Sequence, residues 1–151
     1  MSYRSDALEA LDVLLKKGAQ VNATAKNSSR TPLHVAAHFG HVKIIQRLLM
    51  EKDLDINATD QQGMTALHAA ISRGNKEICD VLLKNEADVT MTTVNGQTCL
   101  HLAAAGGNAS VVLLIIQYGE YRFSIQQAMK PSTPNFIHAT YIIRRLNKTN
   151  Y

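Results

Sequence analysis

Histidines recur at a regular interval in this chain, and imidazoles at fixed spacing are candidate zinc ligands. His34, His68 and His101 are separated by 34 and then 33 residues, and each stands three residues after a threonine. Ligand nitrogens must lie about 2 Å from a shared zinc ion. Each histidine is expected on the helix of a separate packed unit, and packed helices are about 8–10 Å apart. The three imidazoles are then too far from one another to share one zinc ion. We therefore expect no metal or other cofactor, and we expect each imidazole to bond the backbone and its threonine.

Other chemistry-bearing residues do not form a catalytic set. Cys79 and Cys99 occupy different positions relative to the recurring threonine and histidine, which favours packing roles over a disulfide framework. The glycine-rich stretch Ala104–Asn108 lacks the Gly-Lys-Ser/Thr that completes a phosphate-binding loop. The sequence thus predicts a protein that is not an enzyme and has no catalytic or cofactor-binding residues.

Composition is typical of one domain with an aliphatic core. The chain has 151 residues, 46% of them hydrophobic, with 5% aromatic residues and no tryptophan. The longest aliphatic run, Val111–Ile116, is far shorter than the ~20 residues of a membrane helix. Because no secretory signal is visible at the amino terminus and cysteines are few, we predict a cytoplasmic and/or nuclear protein.

The histidines belong to three similar segments. "TPLHVAAHFGHVKIIQRLL" begins at Thr31, "TALHAAISRGNKEICDVLL" at Thr65 and "TCLHLAAAGGNASVVLLII" at Thr98. In the segment from Thr31, the threonine and the following proline predict a helix start, and Gly40 predicts its end. A second helix is predicted from about His41 to Met50. Helices this short are marginal alone, so the units must stack on one another.

The period and the motif Thr-Pro-Leu-His-x-Ala resemble the ankyrin repeat. The motif is complete at Thr31–Ala36, whereas Ala66 and Cys99 replace the proline in the later copies. The resemblance covers about residues 6–123. It implies an all-α ankyrin-repeat solenoid of stacked helix-turn-helix units with short hairpin-like loops. The expected stack, residues 1–123, comprises a half repeat at 5–30 and repeats at 31–64, 65–97 and 98–123, followed by a capping segment or tail at 124–151.

The turns after the second helices depart from one another. Glycine stands at the family's position as Gly18 and Gly119, whereas Glu51–Asp55 and Lys84–Asp88 lack it. A left-handed residue other than glycine costs on the order of 1 kcal/mol. We therefore expect these two turns to be the softer joints of the stack.

Both ends of the stack are irregular. The first unit has only its second helix, at about Asp6–Leu15, so apolar surface from Leu8 or Leu11 is expected to be exposed and self-association is possible. After residue 123 the motif dissolves. Apolar residues at spacings of three and four predict a helix over 135–147, which caps the stack or forms a free tail.

Without a catalytic site, the expected function is protein binding, as an adaptor, scaffold or competitive inhibitor. In ankyrin-repeat proteins, partners usually meet the hairpin tips and the concave face of the first helices. Phe39 is an aromatic where the other units have Arg73 and Gly106, so it is either an interface anchor or a cover for the next helix. The resemblance assigns partner binding to Lys26, Asn27, Arg30, His38, Phe39, Gln61, Gln62, Met64, Ser72, Arg73, Val94, Asn95 and Gln97.

Basic residues concentrate in the carboxyl-terminal segment and support an alternative function. Residues 1–120 carry eleven Lys/Arg and twelve Asp/Glu, a net charge of −1, whereas residues 121–151 carry five basic residues and no acid. This segment could contact nucleic acid or another acidic surface, with a salt-dependent affinity. We expect no membrane partner, and we expect nucleic acid to be a less favoured partner than another protein.

Overall fold

The computed structural model of the chain describes residues 3–126, with side chains described for residues 6–119. This part of the chain is all-α, as predicted. The helix predicted over 135–147 lies outside the described residues. The helices are α1 (Tyr3–Lys16), α2 (Pro32–Phe39), α3 (Val42–Leu48), α4 (Ala66–Ser72), α5 (Lys76–Lys84), α6 (Cys99–Gly106) and α7 (Ala109–Gln126).

Each repeat forms two antiparallel helices whose ends follow from the local sequence. Thr65 and Thr98 are extended residues before α4 and α6, and each side-chain oxygen accepts the backbone N–H three residues on. Gly40 ends α2 in the left-handed conformation, at φ 78°, where glycine meets no Cβ penalty. The boundaries predicted for the first helix of the unit from Thr31, its start at Thr31–Pro32 and its end at Gly40, are therefore confirmed.

The first helices pack side by side, α2 on α4 and α4 on α6, while the second helices pack behind them. Ala37 and Ala70 are fully buried where these neighbouring helices meet, and their small side chains permit close approach. Ile45, Ile78 and Val111 are fully buried in the second helices. The core is aliphatic, as composition predicted. In the described part of the chain, no helix is both long and apolar enough to cross a bilayer.

Asparagine side chains also hold adjacent units together. The side-chain oxygen of Asn22 accepts the N–H of Asp55 at 2.9 Å, and Asn57 accepts the N–H of Asp88 at 2.8 Å. Asn22 and Asn57 occupy the same position in successive units. The recurring "VNAT" and "INAT" therefore encode one inter-unit hydrogen bond, which sequence reasoning did not assign.

The turns after the second helices differ from the expectations in two places. Gly18 follows α1 at φ 85°, but Gly119 lies inside α7, which continues to Gln126; the helix end expected there is wrong. A helical interior does not require positive φ, so the glycine alone does not end the helix. Of the two turns without glycine, that at Lys84–Asp88 has a left-handed residue, Glu86 at φ 68°. In the turn at Glu51–Asp55, no residue has positive φ. This turn is one residue longer, so the chain reverses direction there without a left-handed residue.

Replacing Glu86 with glycine should raise the free energy of unfolding by about 0.5–1 kcal/mol. Glycine removes the Cβ penalty of the left-handed conformation, and the entropy of a more flexible unfolded chain offsets part of this gain. Chemical denaturation measures the change. Asn85→Gly is the matched control, because Asn85 has φ −98° and should gain nothing. Equal stabilisation by both substitutions would contradict the role of backbone strain.

The amino-terminal end exposes apolar surface, as predicted, but through other residues. Leu8 and Leu11 are half-buried, and Leu11 packs against the core. The exposed side chains of α1 are Val13 and Leu14, each with 57% of its surface accessible. An apolar groove of about 440 Å³ runs between the loop at 23–25 and residues of α2 and α3.

Candidate functional site

The repeated histidines bond protein groups rather than one another. In His68, Nδ1 accepts the backbone N–H of Thr65 at 3.0 Å, so Nε2 carries the proton and donates to the Met91 carbonyl at 3.1 Å. His34 Nε2 contacts the Met64 carbonyl, just before the next repeat, at 2.8 Å. The predicted structural role, bonding to backbone and threonine, is confirmed for these two residues. Among the described residues, no group of His, Cys, Asp or Glu is arranged to hold a metal ion.

Treatment with a strong chelator such as EDTA should leave helical circular dichroism and the melting temperature unchanged. The imidazoles are used in hydrogen bonds, so their contribution to stability does not depend on an ion. Thermal melts with and without chelator, after exhaustive dialysis, make the comparison. A drop of several degrees would contradict the packing role of the histidines.

The cysteines are packing residues in the described structure. Cys79 and Cys99 are buried, with 0% and 1% of their surface accessible. Burial raises the pKa of each thiol to about 12. A thiol with such a pKa is protonated at neutral pH, whereas the thiolate is the reactive species. This agrees with the packing role predicted from the sequence.

The hairpin tips form a continuous ridge. The Gln61 N–H donates to the Ser28 carbonyl at 3.2 Å, and the Val94 N–H donates to the Gln62 carbonyl at 2.9 Å, so each tip bonds to the next. The ridge is solvent-facing, and Val94 leaves 69% of its surface accessible. The predicted tip residues exposed there are Lys26, Asn27, Gln61, Gln62, Val94, Asn95 and Gln97.

A cleft separates the ridge from the ends of α2 and α4 in the first two full repeats. Its volume of about 330 Å³ is at the small end of ligand pockets, which range over about 300–1,000 Å³. The cleft brings together five predicted residues that are distant in sequence. They are Arg30 and Met64 from the tips, His38 from α2, and Ser72 and Arg73 from the end of α4.

Asp60 organises one wall of this cleft, and sequence reasoning did not single it out. Its Oδ1 accepts the N–H groups of Gln62 and Met64 at 2.9 and 3.0 Å, and its Oδ2 lies 3.4 Å from Arg30 Nε. The Asp60 side chain is 4% accessible. An aspartate before Gln-Gln-Gly is a turn signal, because its carboxylate bonds nearby backbone amides. That signal was available, but the pairing with Arg30 depends on the stacking of units.

Phe39 lies beside the cleft with 66% of its surface accessible. Its ring contacts His38 edge-on, with centroids 4.9 Å apart, and lies 6.3 Å from the His41 ring. This exposure leaves the ring free to contact a partner, so of the two alternatives for Phe39, anchor or cover for the next helix, we carry the anchor forward as a proposal. Phe39 is thus a solvent-facing aromatic in contact with His38, which lines the cleft together with Arg30 and Arg73, and exposed aromatic side chains of this kind are favoured interface anchors.

The helix-turn-helix units, capped by Thr and His and stacked in register, define the class of repeat solenoids. A family model described as ankyrin repeats (3 copies) matches residues 1–93 and 52–128. The chain therefore belongs to the ankyrin-repeat family.

Relatives with this similarity are much longer proteins. The chain is 36% identical over 82 residues to the nuclear factor NF-kappa-B p105 subunit of Mus musculus, covering 54% of this chain and 8% of that protein. It is 36% identical over 66 residues to alpha-latrotoxin-Lh1a of Latrodectus hasselti, covering 44% and 5%. With the neurogenic locus Notch protein of Drosophila melanogaster, identity is 35% over 74 residues, covering 49% and 3%. The chain thus matches less than a tenth of the length of each.

Proposed function

We propose that this chain binds a partner protein through its hairpin ridge and the cleft beside Phe39, acting as an adaptor, scaffold or competitive inhibitor. Ankyrin repeats are generally protein–protein interaction modules. The observation that carries the proposal is the exposure of Phe39, at 66%, next to a cleft lined by residues of successive units. Exposed aromatic and arginine side chains are favoured anchors in interfaces.

The division of the repeat into invariant and variable positions supports this surface. Threonine, leucine and histidine of the motif are retained in all three units, and in the first two full units they are buried. The tip and the end of the first helix change from unit to unit while remaining accessible. Variation at accessible positions leaves the stack intact, so it is available for selecting a partner.

The alternative, contact with nucleic acid through basic residues, depends on residues 121–151, whose side chains lie outside the described part. The described cleft favours a protein partner, because Met64 lines it together with the cations and exposed Phe39 contacts His38 at its edge. Filter binding of duplex DNA and single-stranded RNA at low and high salt would detect the alternative.

We also propose that the protein is cytoplasmic and/or nuclear.

Capture from lysate tests the proposed surface. Immobilised wild-type chain should retain at least one protein that the variant Phe39→Glu/Arg73→Glu fails to retain. Mass spectrometry of the eluates identifies the difference. If the same proteins are retained by both baits, but lost when Gln61 and Asn95 at the tips are replaced by glutamate, the ridge alone is the interface.

A further inference from the structure

Three basic side chains converge on the cleft from separate elements. Arg30 comes from the first tip, His38 from the end of α2 and Arg73 from the residue that ends α4. The acid on the same wall, Asp60, is buried and bonded to Arg30 and two backbone amides. The cleft therefore contains two guanidinium groups, those of Arg30 and Arg73, and one carboxylate, that of Asp60. Both oxygens of this carboxylate already have partners within the protein.

The bond between Arg73 and His38 establishes the protonation state of the ring. Arg73 Nη2 lies 2.5 Å from His38 Nε2. A guanidinium group has donors and no acceptor, so the ring nitrogen must accept and His38 is neutral in this arrangement. This bond holds the Arg73 side chain toward α2. The Arg73 guanidinium group therefore stays at the opening of the cleft.

The geometry points to a carboxylate side chain of the partner as the group that enters this cleft. The bound segment is then an acidic peptide, and an apolar residue of that peptide packs over Phe39. This inference rests on the proposed function and adds the chemistry of the partner. Arginine suits the role, because its fork of donors matches a carboxylate in bidentate geometry. The Arg30 side chain is 39% accessible, and its ion pair with Asp60 uses Nε.

The charge environment of His38 agrees with an anion site. Burial lowers the pKa of His38 below its ordinary value, and the positive charges of Arg73 and Arg30 lower it further. Asp60, paired with Arg30, is the acid on the facing loop. A carboxylate placed between the arginines would offset their charge and raise the pKa of His38.

A pair of end-blocked peptides tests the inference by nuclear magnetic resonance. One contains glycine, leucine and glutamate, and the other has glutamine at every glutamate position. The glutamate peptide should shift the side-chain signals of Arg30 and Arg73, raise the pKa of His38, and bind at least about tenfold more tightly than its glutamine counterpart. Arg73→Gln should lower its affinity at least about fivefold.

Matched controls separate the cleft from general attraction. Lys43→Gln removes the same charge at an exposed site outside the cleft and should leave affinity nearly unchanged. Glutarate supplies carboxylates without a peptide; if it binds as tightly, a small anion is the ligand and the peptide assignment is overturned. Equal affinity for both peptides, no binding of either, or equal losses in Arg73→Gln and Lys43→Gln would also overturn it. Capture of a lysate protein by the wild type and not by Phe39→Glu/Arg73→Glu would still uphold the proposed function.

Discussion

Replacing His68 with alanine should lower the free energy of unfolding by about 3 kcal/mol or more. The side chain is fully buried, and its removal leaves the Met91 carbonyl and the Thr65 N–H without their partner. Each unsatisfied buried group costs about 1–3 kcal/mol, and the cavity adds to the loss. Urea denaturation followed by circular dichroism measures the change.

The control for this substitution is His41→Ala. His41 is exposed and its side chain does not cap α3, so stability should change by less than about 0.5 kcal/mol. A loss below about 1 kcal/mol for His68→Ala would mean that the bond to Met91 contributes little to the stability of the stack.

His68 also links stability to pH. Burial lowers its pKa, and the hydrogen bond to Met91 opposes this shift only in part. Below pH ~6.5 the unfolded chain therefore binds a proton that the folded chain excludes, so stability falls as the pH decreases from about 7 toward 5. A His68→Gln variant cannot titrate there and should show a flatter decline. Parallel declines in the two proteins would assign the pH dependence to other groups.

The double substitution Phe39→Glu/Arg73→Glu should weaken binding to a captured partner by about a hundredfold or more. Anchor residues contribute about 2 kcal/mol or more each, and the exchange also places two negative charges beside the surface proposed to bind an acidic segment. Both residues are accessible. Glutamate at a helix carboxyl terminus costs about 0.3–1 kcal/mol, so the fold should remain intact. Calorimetric titration and thermal melts provide the two measurements.

A matched pair of residues, one on α3 and one just after it, serves as the control. Lys43→Glu/Met50→Glu likewise exchanges one basic and one exposed apolar side chain for glutamate, and Met50 is 75% accessible. It should leave affinity within about threefold. Equal loss of affinity in the two variants would show that net charge, and not the concave surface, governs binding.

Local features of the repeat were predictable because they depend on neighbouring residues. Thr31, Pro32 and Gly40 specify where α2 begins and ends, since they satisfy or terminate a helix within one turn. The role of His34 and His68 followed from their spacing, which excludes a shared ion. The length of α7 was not predictable from Gly119, because a glycine ends a helix only where the chain adopts the left-handed conformation.

The sequence by itself determined the family and the aliphatic core, because these follow from a motif repeated in register. Only the tertiary structure decided which of the variable positions are accessible and which of them meet. Arg30, His38 and Arg73 are separated by up to 43 residues, yet stacking one unit on the next brings them around one cleft. The pairing of Asp60 with Arg30 and the exposure of Phe39 likewise depend on the distance between units. That distance is determined by packing across the interface of α2 and α4, which a one-dimensional pattern does not specify.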